Sequence, residues 1–220
     1  MRYFGFYYLS LFLFCVFMFA CASSVQEIVQ STQAPINVRK IAFVPFISEP
    51  PYLDQEFEQT RVVKERFLTD AFYNELINKV KGVDITSLET ATSEIAKVRE
   101  ENPGLTYKDI VLRVGKNLDA DAVLIGNISD YSERRGGEFG VESPASVVFE
   151  VQLLNATNGE VIWEAYFNET QRTLLENVVE VRKFIKRRAK WITADELAKE
   201  GVVEIVDKLN EFLKTNATRN

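Results

Sequence analysis

The chain has 220 residues, 46% of them hydrophobic and 26% charged, with a net charge of −6 and a pI near 5.0. That is enough apolar material for one domain with a real core, and the acidic balance argues against a nucleic-acid footprint. There is no histidine, and Cys15 and Cys21 are the only cysteines, so from Ala22 onward Cys/His zinc sites, thiol nucleophiles, Ser-His-Asp triads and disulfide frameworks are excluded.

Met1-Arg2 is a short positive start. The next 17 residues, Tyr3 to Phe19, are almost wholly apolar and carry no charge, and the small residue Ala20 precedes Cys21. Charge, apolar run and small residue in that order make a signal peptide. The run Met18-Phe-Ala-Cys21 resembles the bacterial lipobox, with Met18 at the usual Leu position. That resemblance implies cleavage after Ala20, a diacylglyceryl group on the Cys21 sulfur and a fatty acyl group on its amine, with no other cofactor. Buried methylenes contribute about 0.8 kcal/mol each, and two or three acyl chains hold a protein to a bilayer where one is marginal. The alternative is an uncleaved signal anchor, since about 20 apolar residues suffice to span. Losing Arg2 with the signal takes the net charge from −6 to −7. Ala22, rather than Asp, after the cysteine resembles the outer-membrane sorting pattern of enteric bacteria.

Residues 22–37 are rich in Ser, Gln and Thr and read as a flexible tether. About 16 residues of coil average roughly 20–25 Å end to end and reach at most about 50–60 Å when stretched. Residues 40–46 are a first strand that ends or bends at Val44-Pro45, because Pro cannot donate to a ladder. Residues 60–80 are a helix, with Leu68, Phe72, Leu76 and Val80 at i,i+4 spacing, stopped by Gly82. Residues 83–86 form a short strand. Ser87 caps a helix over 89–101 that ends at Asn102-Pro-Gly104, and Thr106 caps another over 107–117.

The clearest strand signals follow: 122–130, 145–154 and 160–167. Val147, Phe149, Val151 and Leu153 share one face of the second, and Val161, Trp163, Ala165 and Phe167 one face of the third. Polar residues take the opposite faces. Asn155-Ala-Thr-Asn-Gly159 joins the two as a hairpin. Residues 131–144 carry three glycines and mixed charges, which forbid a regular element of any length. Residues 170–192 resist assignment. Thr193-Ala-Asp-Glu196 is a capping box that opens a last helix to about Lys214, in which Gly201 costs about 1 kcal/mol and implies close packing or a kink.

The order is β-α-β-α-α-β-β-β-α. It implies an α/β domain, bordering on α+β, with a single mixed sheet of about five strands flanked by helices and closed by a long C-terminal helix. The domain plan is signal peptide 1–20, lipidated Cys21 and tether 21–37, and one domain over 38–220.

The runs Ala120-Asp-Ala-Val-Leu-Ile-Gly126, Val148-Phe-Glu-Val-Gln-Leu153 and Thr157-Asn-Gly-Glu-Val-Ile-Trp163 resemble those of periplasm-facing lipoproteins. That group contains the curli-secretion lipoprotein, LpoB-type activators of penicillin-binding proteins and the TolB N-terminal domain. The resemblance implies a non-catalytic protein that binds an envelope protein or a second copy of itself. It differs from the LpoB type in its shorter tether. Residues 131–144 and 170–192 also lack the alternation of a barrel strand.

Arg134, Arg135, Glu138 and Glu142 are candidates for a partner-recognition loop, against the plainer reading of a solvated loop. Lys186, Arg187 and Arg188, in a cluster running from Lys183 to Lys190, suit an acidic partner or anionic headgroups; the plainer reading is a solvated helix face. Trp191 is a candidate anchor, whereas the strand phase of Trp163 places it in the core. Glu138 and Glu142 as a carboxylate-only hydrolase pair is the remote alternative, because a Gly-rich loop offers no means of holding such geometry. The expected function is that of an outer-membrane-anchored accessory or assembly factor, with a self-assembling ring or pore subunit as the alternative. Neither nucleic acid nor a small-molecule substrate is expected.

Overall fold

The computed structural model describes residues 25–28, 37–48, 55–136, 141–171 and 192–217. The main sheet has seven strands. They are β1 (Val25–Ile28), β2 (Lys40–Phe43), β3 (Ile47–Ser48), β4 (Asp84–Ile85), β5 (Ala122–Ser132), β8 (Ser146–Asn155) and β9 (Val161–Thr170). A separate two-stranded ribbon pairs β6 (Arg135–Gly136) with β7 (Val141–Ser143). The helices are α1 (Gln55–Lys79), α2 (Leu88–Glu101), α3 (Tyr107–Asn117) and α4 (Ala194–Ala217).

The path through the sheet is β1-β9-β8-β5-β2-β4, with β3 also on β5. β2 pairs parallel with β4 and β5, and β3 parallel with β5, whereas the β5–β8, β8–β9 and β9–β1 pairs are antiparallel. The expected mixed α/β sheet is therefore present, with seven strands rather than about five. The helix-crossover half makes the parallel part and the meander makes the antiparallel part, as chain connectivity requires.

The layers are unequal. On one face α1 and α4 bury Phe43, Leu124, Phe149, Val151, Trp163 and Phe167 in the larger core. Phe43 stacks on Phe72 at 5.7 Å, and Phe149 lies 5.3 Å from Phe167. On the other face α2 and α3 cover only β2 and β5, through Ala42, Val44, Val98, Val111, Val114 and Val123. The helix starts follow from their caps. Ser87 Oγ accepts from Thr90 N, Thr106 Oγ1 accepts from Asp109 N, and the Thr193–Glu196 box closes in both directions, at 2.9 and 3.2 Å. The hairpin turn closes through Gly159, at φ 73°.

Four sequence expectations change. The stretch 22–37, read as a flexible tether, contains β1. Val25 pairs with Phe167, is 4% exposed and joins the larger core. Four residues are too few for an alternation to show, and Gln26 and Glu27 hide the strand. The first strand ends at Phe43, as Val44-Pro45 requires, but the chain then resumes pairing as β3. Helix α1 starts at Gln55 rather than near residue 60. Residues 131–144, expected to hold no regular element, contain the end of β5 and the short β6–β7 ribbon.

Gly201 lies where α4 crosses the β8–β9 hairpin. A Cβ there would stand 2.7 Å from the Phe167 ring and 2.9 Å from Phe149. Of the two expectations for this glycine, close packing is the one met. Gly201→Ala gains about 1 kcal/mol of helix propensity. Overpacking two rings fixed in a core costs about 1–3 kcal/mol. The substitution should therefore lower the urea unfolding midpoint, and a raised midpoint would mean that α4 does not bear on these rings.

Candidate functional site

A group of polar side chains gathers at the end of the sheet where β5 and β9 finish and β8 begins. Ser132 pairs with Ser146 and Ser146 with Thr170, and the last pair also joins hydroxyl to hydroxyl at 2.9 Å. A register shift between Ile128 and Asp130 changes the phase of β5, so Tyr131 turns inward and is 8% exposed. Its hydroxyl donates to Asp195 Oδ1 at 2.5 Å, and Lys64 Nζ donates to its carbonyl while standing 5.2 Å over its ring. Burial first, then the hydrogen bond to Asp195 and the charges of Asp195 and Glu133, push the Tyr131 hydroxyl far above the ordinary tyrosine value. It is a fixed donor, not a base.

Glu133 extends the same network. Both carboxylate oxygens accept from Ala194 N, at 3.1 and 3.2 Å, at the first turn of α4. A carboxylate there satisfies an orphan donor and opposes the positive end of the helix dipole. Gln171 is 1% exposed. Its backbone N–H donates to Ala145 O and its Oε1 accepts from Ile192 N, both at 3.0 Å. Residues 171 and 192 are thus fastened together at this end, although 20 residues separate them in sequence.

From this end projects the β6–β7 ribbon, in which Arg135 pairs with Ser143. Arg135 and Glu142 are exposed and Arg134 is half-buried. Glu138, Lys186, Arg187, Arg188 and Trp191 lie outside the described residues, as do Ala20 and Cys21. The structure brings Arg135 and Glu142 onto one ribbon. Among the described residues no group of three or more His, Cys, Asp or Glu gathers as a metal site, and no helix is long and apolar enough to cross a membrane. Sequence reasoning missed Tyr131, Lys64, Glu133 and Asp195. The bulge hides the inward turn of Tyr131, and the other three are drawn from α1, the β5–β6 link and α4, so no local spacing unites them.

A second polar locus lies at the carboxyl ends of the parallel strands. Glu65 Oε1 accepts from Ser48 N at 2.7 Å, Ser48 Oγ at 2.6 Å and Arg61 Nη1 at 3.0 Å, which ties β3 to α1. Tyr107 Oη and Asn127 Oδ1 are buried without a hydrogen-bond partner among the described residues. Burial, with a smaller push from the Glu65 charge against an opposing pull from Arg99, takes the Tyr107 hydroxyl up to about 12.

No protein-family model matches this chain, and no curated protein matches its sequence. Among solved structures it is similar to the PelC dodecamer from Paraburkholderia phytofirmans, with 15% identity over 86% of this chain and 96% of that one and a TM-score of 0.46. It is similar to the hypothetical protein CT253 from Chlamydia trachomatis, with 11% identity over 79% and 96% and a TM-score of 0.46. It is also similar to the LpoB C-terminal domain from Escherichia coli, with 12% identity over 64% and 90% and a TM-score of 0.33. LpoB is one of the three kinds of protein that the strand motifs resemble.

Tyr107 gives a pH prediction. Its folded value is raised above the unfolded one, near 10, so the unfolded chain gives up this proton first as pH rises. Stability is complete below pH 10 and falls between 10 and about 12, by about 2–3 kcal/mol in all. In urea unfolding at increasing alkaline pH, Tyr107→Phe should show a shallower loss than the parent, and parallel curves would remove this group as the cause.

Proposed function

We propose that this chain is a bacterial outer-membrane lipoprotein, acylated on Cys21, that faces the periplasm and serves as a non-catalytic protein-binding accessory or assembly factor of the cell envelope. The observation that carries the reading is the run Met18-Phe-Ala-Cys21 behind a charged start and an apolar stretch. A secreted cysteine in that setting is an acylation site, and an acylated domain works at a bilayer surface. The fold supports the reading in one respect: β1 begins four residues after Cys21 and is built into the core, so the anchor and the folded body form one mechanical unit. The resemblance of the strand motifs to periplasm-facing lipoproteins supports the protein-binding part.

Cys21→Ser should abolish incorporation of labelled palmitate and release the protein from the outer-membrane fraction. A mutant that still carries label and still fractionates with the membrane would overturn the anchor. In-cell crosslinking of the tagged, lipidated protein tests the accessory role. Crosslinks to an envelope enzyme or barrel protein are the expected outcome. Crosslinks chiefly to a second copy of the chain would replace the accessory reading with that of a ring or pore subunit.

A further inference from the structure

The position of β1 fixes which end of the domain can meet the bilayer. β1 runs antiparallel to β9, with Val25 level with Phe167 and Ile28 level with Glu164. Followed backward from Val25, the strand axis therefore points past Thr170, the last residue of β9. Cys21 is four residues before Val25, a link that spans at most about 14 Å. Thr170 lies three residues beyond Phe167 on β9, and clearing it takes about 10 Å of that span. The opposite end begins at Val161, six residues from Phe167 and about 20 Å from Val25. A link of about 14 Å cannot bridge that distance, so the domain cannot stand on its far end.

We infer that the sheet end formed by Ser132, Ser146, Thr170 and the β6–β7 ribbon lies on the phospholipid headgroups, with the opposite end presented to the periplasm. This inference rests on the acylation of Cys21 proposed above. The composition of that end suits a headgroup zone. Ser132, Glu133, Arg135 and Glu142 are exposed there and hydroxyls line the strand ends, while the networks of Tyr131, Glu133 and Gln171 hold the backbone shut behind them. The assignment gives the ribbon a lipid rather than a protein to touch. Among the described residues it turns the 155–160 turn and the C-terminal part of α4 toward a partner arriving from the periplasm.

The test uses the full lipidated protein in vesicles of phosphatidylethanolamine and phosphatidylglycerol. Signal cleavage removes Cys15 and acylation occupies Cys21, so a cysteine placed by Glu142→Cys or Thr157→Cys is the one free thiol. Each is labelled with a fluorophore and quenched by a paramagnetic group tethered to lipid headgroups. The Glu142→Cys label should lose most of its emission and the Thr157→Cys label should keep its own. Equal quenching at both positions would show a flat-lying domain, and stronger quenching at residue 157 would show the reverse orientation; either overturns the inference. A flexible Gly/Ser spacer inserted between Ser24 and Val25 should relieve the quenching at residue 142, and quenching that persists unchanged would show that the short link does not set the orientation. Intact mass of the extracted protein separates this inference from the reading beneath it. An unmodified Cys21 sinks both, whereas an acylated Cys21 with the wrong quenching pattern sinks the orientation alone.

Discussion

The close seat of α4 on the β8–β9 hairpin is the contact on which the rest of the molecule depends. Gly201 allows it, because any larger residue would meet the Phe167 and Phe149 rings. With the helix that close, Leu197, Val202, Ile205 and Leu209 reach a core that also holds Trp163, Ala165 and Val25. Full burial of such side chains is worth about 1.5–3 kcal/mol each, so the hairpin, the last helix and the N-terminal strand stand or fall together. The same helix fixes α1, through Lys79 Nζ to Asp207 Oδ1 at one end and Lys64 to Tyr131, itself bonded to Asp195, at the other.

The unequal layers follow from the same arrangement. α1 and α4 cover one whole face of the sheet, while α2 and α3 are consumed by β2 and β5. Among the described residues no helix covers the outer face of β8 and β9, and Glu150, Gln152, Glu164 and Asn168 stand on it. Glu150 and Gln152 hydrogen-bond to each other along β8, and Glu164 and Asn168 alternate with buried Trp163, Ala165 and Phe167. Polar residues on that face also blunt association through it, and β1 closes the edge that β9 would otherwise offer to another chain.

That alternation is why the hairpin was legible in the sequence. So were the helix starts at Ser87, Thr106 and Thr193, because a cap is a local signal that tertiary packing seldom overrides. The elements that escaped are the short ones. β1 has four residues, β3 two, and the β6–β7 ribbon five in total, and none is long enough for a period of two to rise above composition. They form because a neighbouring strand or turn already holds a ladder open to them. The polar network around Tyr131 escaped for a related reason. It joins residues from α1, β5, the β5–β6 link and α4, and a β-bulge sets the phase of its central tyrosine. The candidate lipidation site, in contrast, is wholly local: charge, apolar run, small residue and cysteine stand in a row.

The placement of β1 changes what such an anchor does. A tether through residue 37 would give the domain a reach of about 50–60 Å. With Val25 fixed in the core, the link from Cys21 is four residues and at most about 14 Å. On the lipoprotein reading the domain cannot search the periplasm, and a partner has to come to the membrane surface to meet it. On the same reading a short link removes rotational freedom in advance, so a partner that binds the outward end pays less entropy for orientation than one that captures a freely tethered domain. On the lipoprotein reading, the strand nearest the lipid thus has two duties. It completes the sheet, and it converts a point attachment into a defined orientation.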